Sequence, residues 1–182
     1  AGSGTNSLTG FAGTATWCIV ATNGGTYTNG GTTSFATFQN LSGGSGADSF
    51  TLSVWAHVTG TIHGGGGTDT LVGNNLSNSW SLAGTNAGTL TDSNGANSFQ
   101  AIENLTGGSG TDAFVFADSA VVQGTINGAA GANTLNWDAT NSLGSRRCNE
   151  CHTIDPAKGF FGTNSKKSKT AEGVQNFKIP QL

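Results

Sequence analysis

Apolar and polar positions along the first four-fifths of the chain come in short alternating bursts broken by glycine. Leu52-Ser53-Val54 and Phe114-Val115-Phe116 are two of them. A period of two predicts strands whose alternate side chains face a core while the intervening ones face out. The glycines between bursts occupy turn positions where φ is positive or stacked backbones approach closely. Asn and Asp beside them bond neighbouring turn amides.

The bursts repeat. Phe35-Ala-Thr-Phe-Gln-Asn-Leu-Ser-Gly-Gly-Ser-Gly-Ala-Asp-Ser-Phe50 returns as Phe99-Gln-Ala-Ile-Glu-Asn-Leu-Thr-Gly-Gly-Ser-Gly-Thr-Asp-Ala-Phe114, an offset of 64 residues (99 − 35). Upstream, Trp17 pairs with Trp80 at 63 (80 − 17), so one residue has been gained or lost between them. A shorter unit of the form G-G-x-G-x-D-x-U-x, with U a bulky apolar residue, lies inside the long one. It covers residues 43–51, 64–72 and 107–115, with degraded copies at 1–9 and 128–136. The starts at 43 and 64, and at 107 and 128, each differ by 21. The expected fold is therefore all-β: a parallel β-solenoid of about 21-residue coils, three to each 64-residue super-repeat. Eight or nine coils at ~4.8 Å each make a rod about 40 Å long.

Composition sharpens this picture. Thirty glycines, 35% hydrophobic and only 9% charged residues suggest disorder at first sight, but ten Phe, four Trp and many Thr and Val suit short strands instead. Residues 1–145 carry seven acids and no base, whereas 146–182 carry three acids and seven bases. Together with the end of the repeats this places a boundary near 143, giving a repeat region 1–143 and a separate segment 144–182. An acidic body argues against a nucleic-acid partner. No apolar run approaches the ~20 residues that cross a bilayer as a helix.

The repeats resemble the glycine- and aspartate-rich arrays of large secreted bacterial proteins, both the calcium-binding RTX type and long adhesin-like repeat proteins. The likeness covers about residues 1–143. It implies calcium between successive G-G-x-G-x-D turns, and Asp48 and Asp69 on adjacent coils are the candidate pair. The next pair departs from the pattern, because Asp112 is followed by Asn133. A plain glycine-aspartate turn is the alternative.

Outside the repeats stands Cys148-Asn149-Glu150-Cys151-His152, the C-x-x-C-H pattern of c-type haem attachment. Two thiols at that spacing reach the two vinyl groups on one porphyrin edge, and the adjacent imidazole meets the iron. A zinc site needs about four ligands, and Cys18, His57 and His63 supply them at no zinc-finger spacing. A thioredoxin-like dithiol belongs beside a βαβ pattern, which is absent. The run from Cys148 through Asp155-Pro-Ala-Lys-Gly-Phe-Phe-Gly-Thr163, then Phe177-Lys-Ile-Pro-Gln-Leu182, resembles the haem segment of bacterial cytochromes related to the dihaem peroxidases. The resemblance spans about 35 residues and implies one covalent haem c, inserted into the fold near its C-terminal part.

His152 is then the proximal iron ligand. The chain contains no methionine, so a His-Met iron is excluded within these residues. His57 and His63 are the candidate distal ligands, with His57 expected to point outward from its strand. The remaining thiol, Cys18, is expected as a small buried side chain, with a bond across a subunit contact as the alternative. Haem c attachment implies export, to the cell surface, the extracellular space or the periplasm. No nucleophile, base or substrate pocket is recognisable, so an enzyme is not expected. The expected function is one-electron transfer to a redox partner protein or extracellular acceptor. An acidic body and a basic tail favour head-to-tail, end-to-end stacking into a homo-oligomeric fibre. The competing reading is a structural, adhesin-like fibre in which haem is secondary.

Overall fold

The computed structural model describes residues 4–137 and, later in the chain, two short strands at 153–155 and 160–162. The chain divides into two units, Ala1–Asp138 and Ala139–Leu182. Every regular element among the described residues is a strand.

Two mixed sheets, one of eight strands and one of seven, build the first unit. The short strand β1 (Ser7–Thr9) lies in the larger sheet. Next, β2 (Thr16–Ala21), β3 (Gly24–Thr28) and β4 (Thr32–Ala36) form an antiparallel meander in the smaller one. From there single strands alternate. β5 (Asn40–Gly44) and β7 (Thr61–Gly65) join the larger sheet, β6 (Ser49–Leu52) and β8 (Thr70–Val72) the smaller. A second meander of β9 (Asn78–Gly84), β10 (Ala87–Asp92) and β11 (Gly95–Gln100) returns to the larger sheet. The alternation then resumes with β12 (Asn104–Thr106) and β14 (Ile126–Asn127) in the smaller sheet and β13 (Asp112–Phe116) and β15 (Thr134–Trp137) in the larger.

One repeat thus makes five visits to the sheets: a meander and four single strands. Five is odd, so equivalent residues of successive repeats fall in opposite sheets. Leu41 lies in the larger sheet and Leu105 in the smaller; Phe50 lies in the smaller and Phe114 in the larger.

The all-β expectation agrees with the structure, while a purely parallel ladder of uniform coils does not. Parallel steps of 21 do occur, as in Leu41↔Ile62 and Phe50↔Leu71. They alternate with steps of 33 to 37, such as Leu8↔Leu41 (33) and Ile62↔Phe99 (37), because a meander adds two antiparallel strands there. The physical reason lies in the Asn-Gly tips: Asn23-Gly24 turns β2 into β3, and Asn29-Gly30 turns β3 into β4. The odd residue is found in these tips as well. Three residues separate the paired Thr28 and Thr32, and four separate the paired Thr91 and Ala96.

Alternation along the strands makes the core. On β9, Asn78, Trp80 and Leu82 are buried while Ser79 and Ser81 are exposed. Aromatic rings of adjacent parallel strands stack. Trp17 lies on Phe50 with centroids 5.4 Å apart, and its counterpart Trp80 lies on Phe114 at 5.2 Å. Such pairs add about 0.5–1.5 kcal/mol each beyond their area.

In the second unit, β16 (Thr153–Asp155) pairs antiparallel with β17 (Phe160–Gly162), aligning Ile154 with Phe161.

Candidate functional site

The haem-type residues Cys148, Cys151 and His152 lie outside the described residues. The described strand β16 starts at the residue after His152.

Within the first unit, the chemistry-bearing side chains gather at the glycine turns, where they serve the backbone. One carboxylate oxygen of Asp48 accepts the N–H of Ala15 at 2.8 Å, and one of Asp69 accepts the N–H of Asp48 at 2.7 Å. Glu103 Oε2 in turn accepts the N–H of Asp69 at 2.8 Å. Each acid therefore holds the amide of the neighbouring rung, a run of side-chain acceptors along the turns. Asp48 and Asp69 are both buried. Their second oxygens lie over the α-carbons of Gly43 and Gly64, the first glycines of their own nonapeptides, where a Cβ would collide. Together with a neighbouring backbone carbonyl, that of Gly64 over Gly43 and that of Ala101 over Gly64, this contact accounts for glycine at those positions. Both carboxyls turn inward: one oxygen of each is committed to a backbone amide, and the other is packed on glycine with no hydrogen-bond partner.

Burial pushes the Asp48 carboxyl above its ordinary value, against the opposing hydrogen bond from Ala15. Asp69 is pushed up to about 6, first by burial and then by the negative charges of Asp48 and Glu103; the Asp48 amide and His63 pull the other way.

Asparagines at the meander tips are a second recurring device that sequence reasoning missed. Asn86, buried and at φ 52°, accepts the N–H of Gln123 through Oδ1 and donates from Nδ2 to Glu103 Oε1 and Gln123 Oε1, all at 2.8 Å. Asn23 at φ 54° plays the same part toward Thr59. The signal was legible in the 63-residue pairing of these two asparagines.

The two candidate distal ligands differ in exposure. His57 is half-buried, its ring packed on the α-carbon of Gly95 and its Nδ1 buried without a hydrogen-bond partner. His63 on β7 is the exposed one. His57 does alternate with the buried Ala56 and Val58, in a single parallel bridge to Thr22, but Gly95 covers its outer side. Cys18 is half-exposed rather than buried, since it faces away from the core between Trp17 and Ile19 on β2.

An open groove of about 620 Å³ runs along the turns, lined by residues such as Ser53, Asn74, Asn75 and Gly108 and by no acid, histidine or cysteine. Among the described residues no three or more His, Cys, Asp or Glu side chains are placed to hold a metal ion together. No helix among them is long and apolar enough to cross a membrane. Comparisons with family models, curated proteins and solved structures find no match.

Proposed function

We propose that the chain is an exported monohaem c-type cytochrome built on a β-solenoid scaffold and serving one-electron transfer. The observation that carries this reading is the C-x-x-C-H run at 148–152. Two thiols and an imidazole at that spacing form a donor set that fits haem c better than a zinc or dithiol site. Cys148 and Cys151 would hold the porphyrin edge, and His152 would present its ring nitrogen to the iron. A haem so held supplies a one-electron Fe(III)/Fe(II) couple. The solenoid reading is supported by strands that alternate between two sheets and by parallel steps of 21 residues. Head-to-tail association into a fibre follows from an acidic body joined to a basic segment.

The test is an alkaline pyridine haemochrome spectrum and an intact mass of the full chain. One covalent haem, lost in the double variant Cys148→Ala/Cys151→Ala, is the expected result. Colourless protein with both thiols open to alkylation would overturn it. For the fibre, electron micrographs with only discrete monomers at high concentration would count against end-to-end assembly.

One observation favours the structural alternative. The body spends its polar side chains on itself: Asn23, Asn40, Asn86, Asn104, Asp48, Asp69 and Glu103 all bond neighbouring backbone. Slow or absent exchange with external electron donors, measured by reduced-minus-oxidised spectra, would favour this scaffold reading over electron transfer.

A further inference from the structure

We propose that Asp48 and Asp69 are held as neutral carboxyls, each donating its proton to a backbone carbonyl of its own glycine turn. The acid column thereby becomes a pH-sensitive lock on the stacked turns.

One position of the turn occurs in three versions. At Asp112 both oxygens have donors: Oδ1 accepts Asn78 Nδ2 at 2.6 Å and Oδ2 accepts the Gly108 N–H at 3.0 Å. That carboxylate is satisfied as an anion. At Asn133, the same place one rung on, Oδ1 accepts the Asp112 N–H at 2.9 Å, as Asp69 does for Asp48. Its Nδ2 lies over Gly128 and donates to the Gly128 carbonyl at 2.7 Å and to that of Ala130 at 3.1 Å.

In all of these one atom of the side chain lies over the first glycine of the turn, Oδ2 of Asp112 over Gly107 included. At Asp48 and Asp69 one oxygen accepts a neighbouring amide, as at Asn133, and no amide of the turn reaches the other as the Gly108 N–H reaches Asp112. Those second oxygens are buried with no hydrogen-bond partner. An anion there would have no donor, a costly arrangement in a buried site. A proton on Oδ2 makes it the donor that Asn133 supplies by its amide. Burial favours the proton at both positions, and the surrounding groups divide. Asp69 faces Asp48 and Glu103, which favour its proton, and His63, which opposes it; Asp48 has Asp69 beside it and the Ala15 amide, which opposes its proton.

The sign follows. The folded-state value of Asp69 is raised above 3.8, so the stabilisation is complete below that pH and is lost as pH rises through about 6.

The test is carboxyl-carbon NMR and urea unfolding of the full chain from pH 3.5 to 8, for the unaltered protein and for Asp69→Asn, Asp48→Asn and Asp112→Asn. The Asp69 carboxyl resonance should titrate well above the unfolded value, and the folding constant should fall by about 10- to 100-fold between pH 4 and 7. Asp69→Asn should remove most of that fall and be as stable as the unaltered chain at pH 7. Asp112→Asn should lose stability at pH 7, because an amide N–H₂ would then face a donor. An Asp69 resonance titrating near 3.8, or an Asp69→Asn variant as damaged as Asp112→Asn, would overturn the proposal. So would stabilisation by added calcium, reversed by a chelator and absent in Asp69→Asn, since it would assign the orphaned oxygens to a cation. If a variant fails to fold, the NMR titration of the unaltered chain still decides.

Discussion

Trp17 and Trp80 hold the same place in successive repeats, are both fully buried, and lie in opposite sheets. Each stacks on the phenylalanine of the next parallel strand, and each leaves its indole N–H without a partner. The core is thus built twice from one pattern, with the second copy turned over.

Loss of either indole should be severe. Trp80→Ala is expected to cost about 3–5 kcal/mol by urea denaturation. Trp55, 75% exposed on a turn, should tolerate alanine within about 0.5 kcal/mol. Equal losses at the two sites would contradict the packing described.

Glycine is required at some turn positions and not at others. A Cβ on Gly64 would run into the Ala101 carbonyl and the Asp69 carboxyl. Gly64→Ala should therefore cost about 2 kcal/mol or more. At Gly66 the nearest atom to such a Cβ is 3.7 Å away. Gly66→Ala should be neutral or gain up to about 1 kcal/mol through the unfolded chain. Thermal melts of the two variants separate these outcomes.

The asparagine tips should matter unequally. Asn86 is buried, whereas the bonds of Asn23 are exposed. Asn86→Ala should cost about 2–3 kcal/mol and Asn23→Ala about 1 kcal/mol. Hydrogen exchange should show the Gln123 amide, which bonds Asn86 Oδ1 at 2.8 Å, losing protection in the first variant only.

Glu103 helps keep Asp69 protonated. Glu103→Gln removes that charge, so the Asp69 titration should move down from about 6 toward 3.8. The pH window in which stability falls should narrow from its upper end. Carboxyl-carbon NMR reads the shift directly, and an unmoved midpoint would show that Glu103 plays no part in it.

Much of this architecture was legible in the residues. The 64-residue recurrence, the period-two bursts and the first glycine of each nonapeptide anticipate strands and turns where they are found. The meanders were harder to see. Thr22-Asn23-Gly24 and Ser93-Asn94-Gly95 are hairpin signals, but they are shorter and weaker than the nonapeptide pattern that surrounds them. The exchange of sheets between repeats was not legible at all, because it depends on how many times the chain crosses, a sum over the whole unit. The alternation that turns His57 away from Ala56 and Val58 was legible, but the cover over its ring comes from Gly95, far away in sequence. The aspartates were recognised by motif, but their role depends on which way each second oxygen points.

The odd number of crossings has a consequence for any longer array of this kind. Whatever a unit carries on one flank, the following unit carries on the other, so like decorations recur along a given side only every second unit. Lengthening such an array by one unit would leave its terminal feature facing backward; lengthening it by two would restore the original aspect.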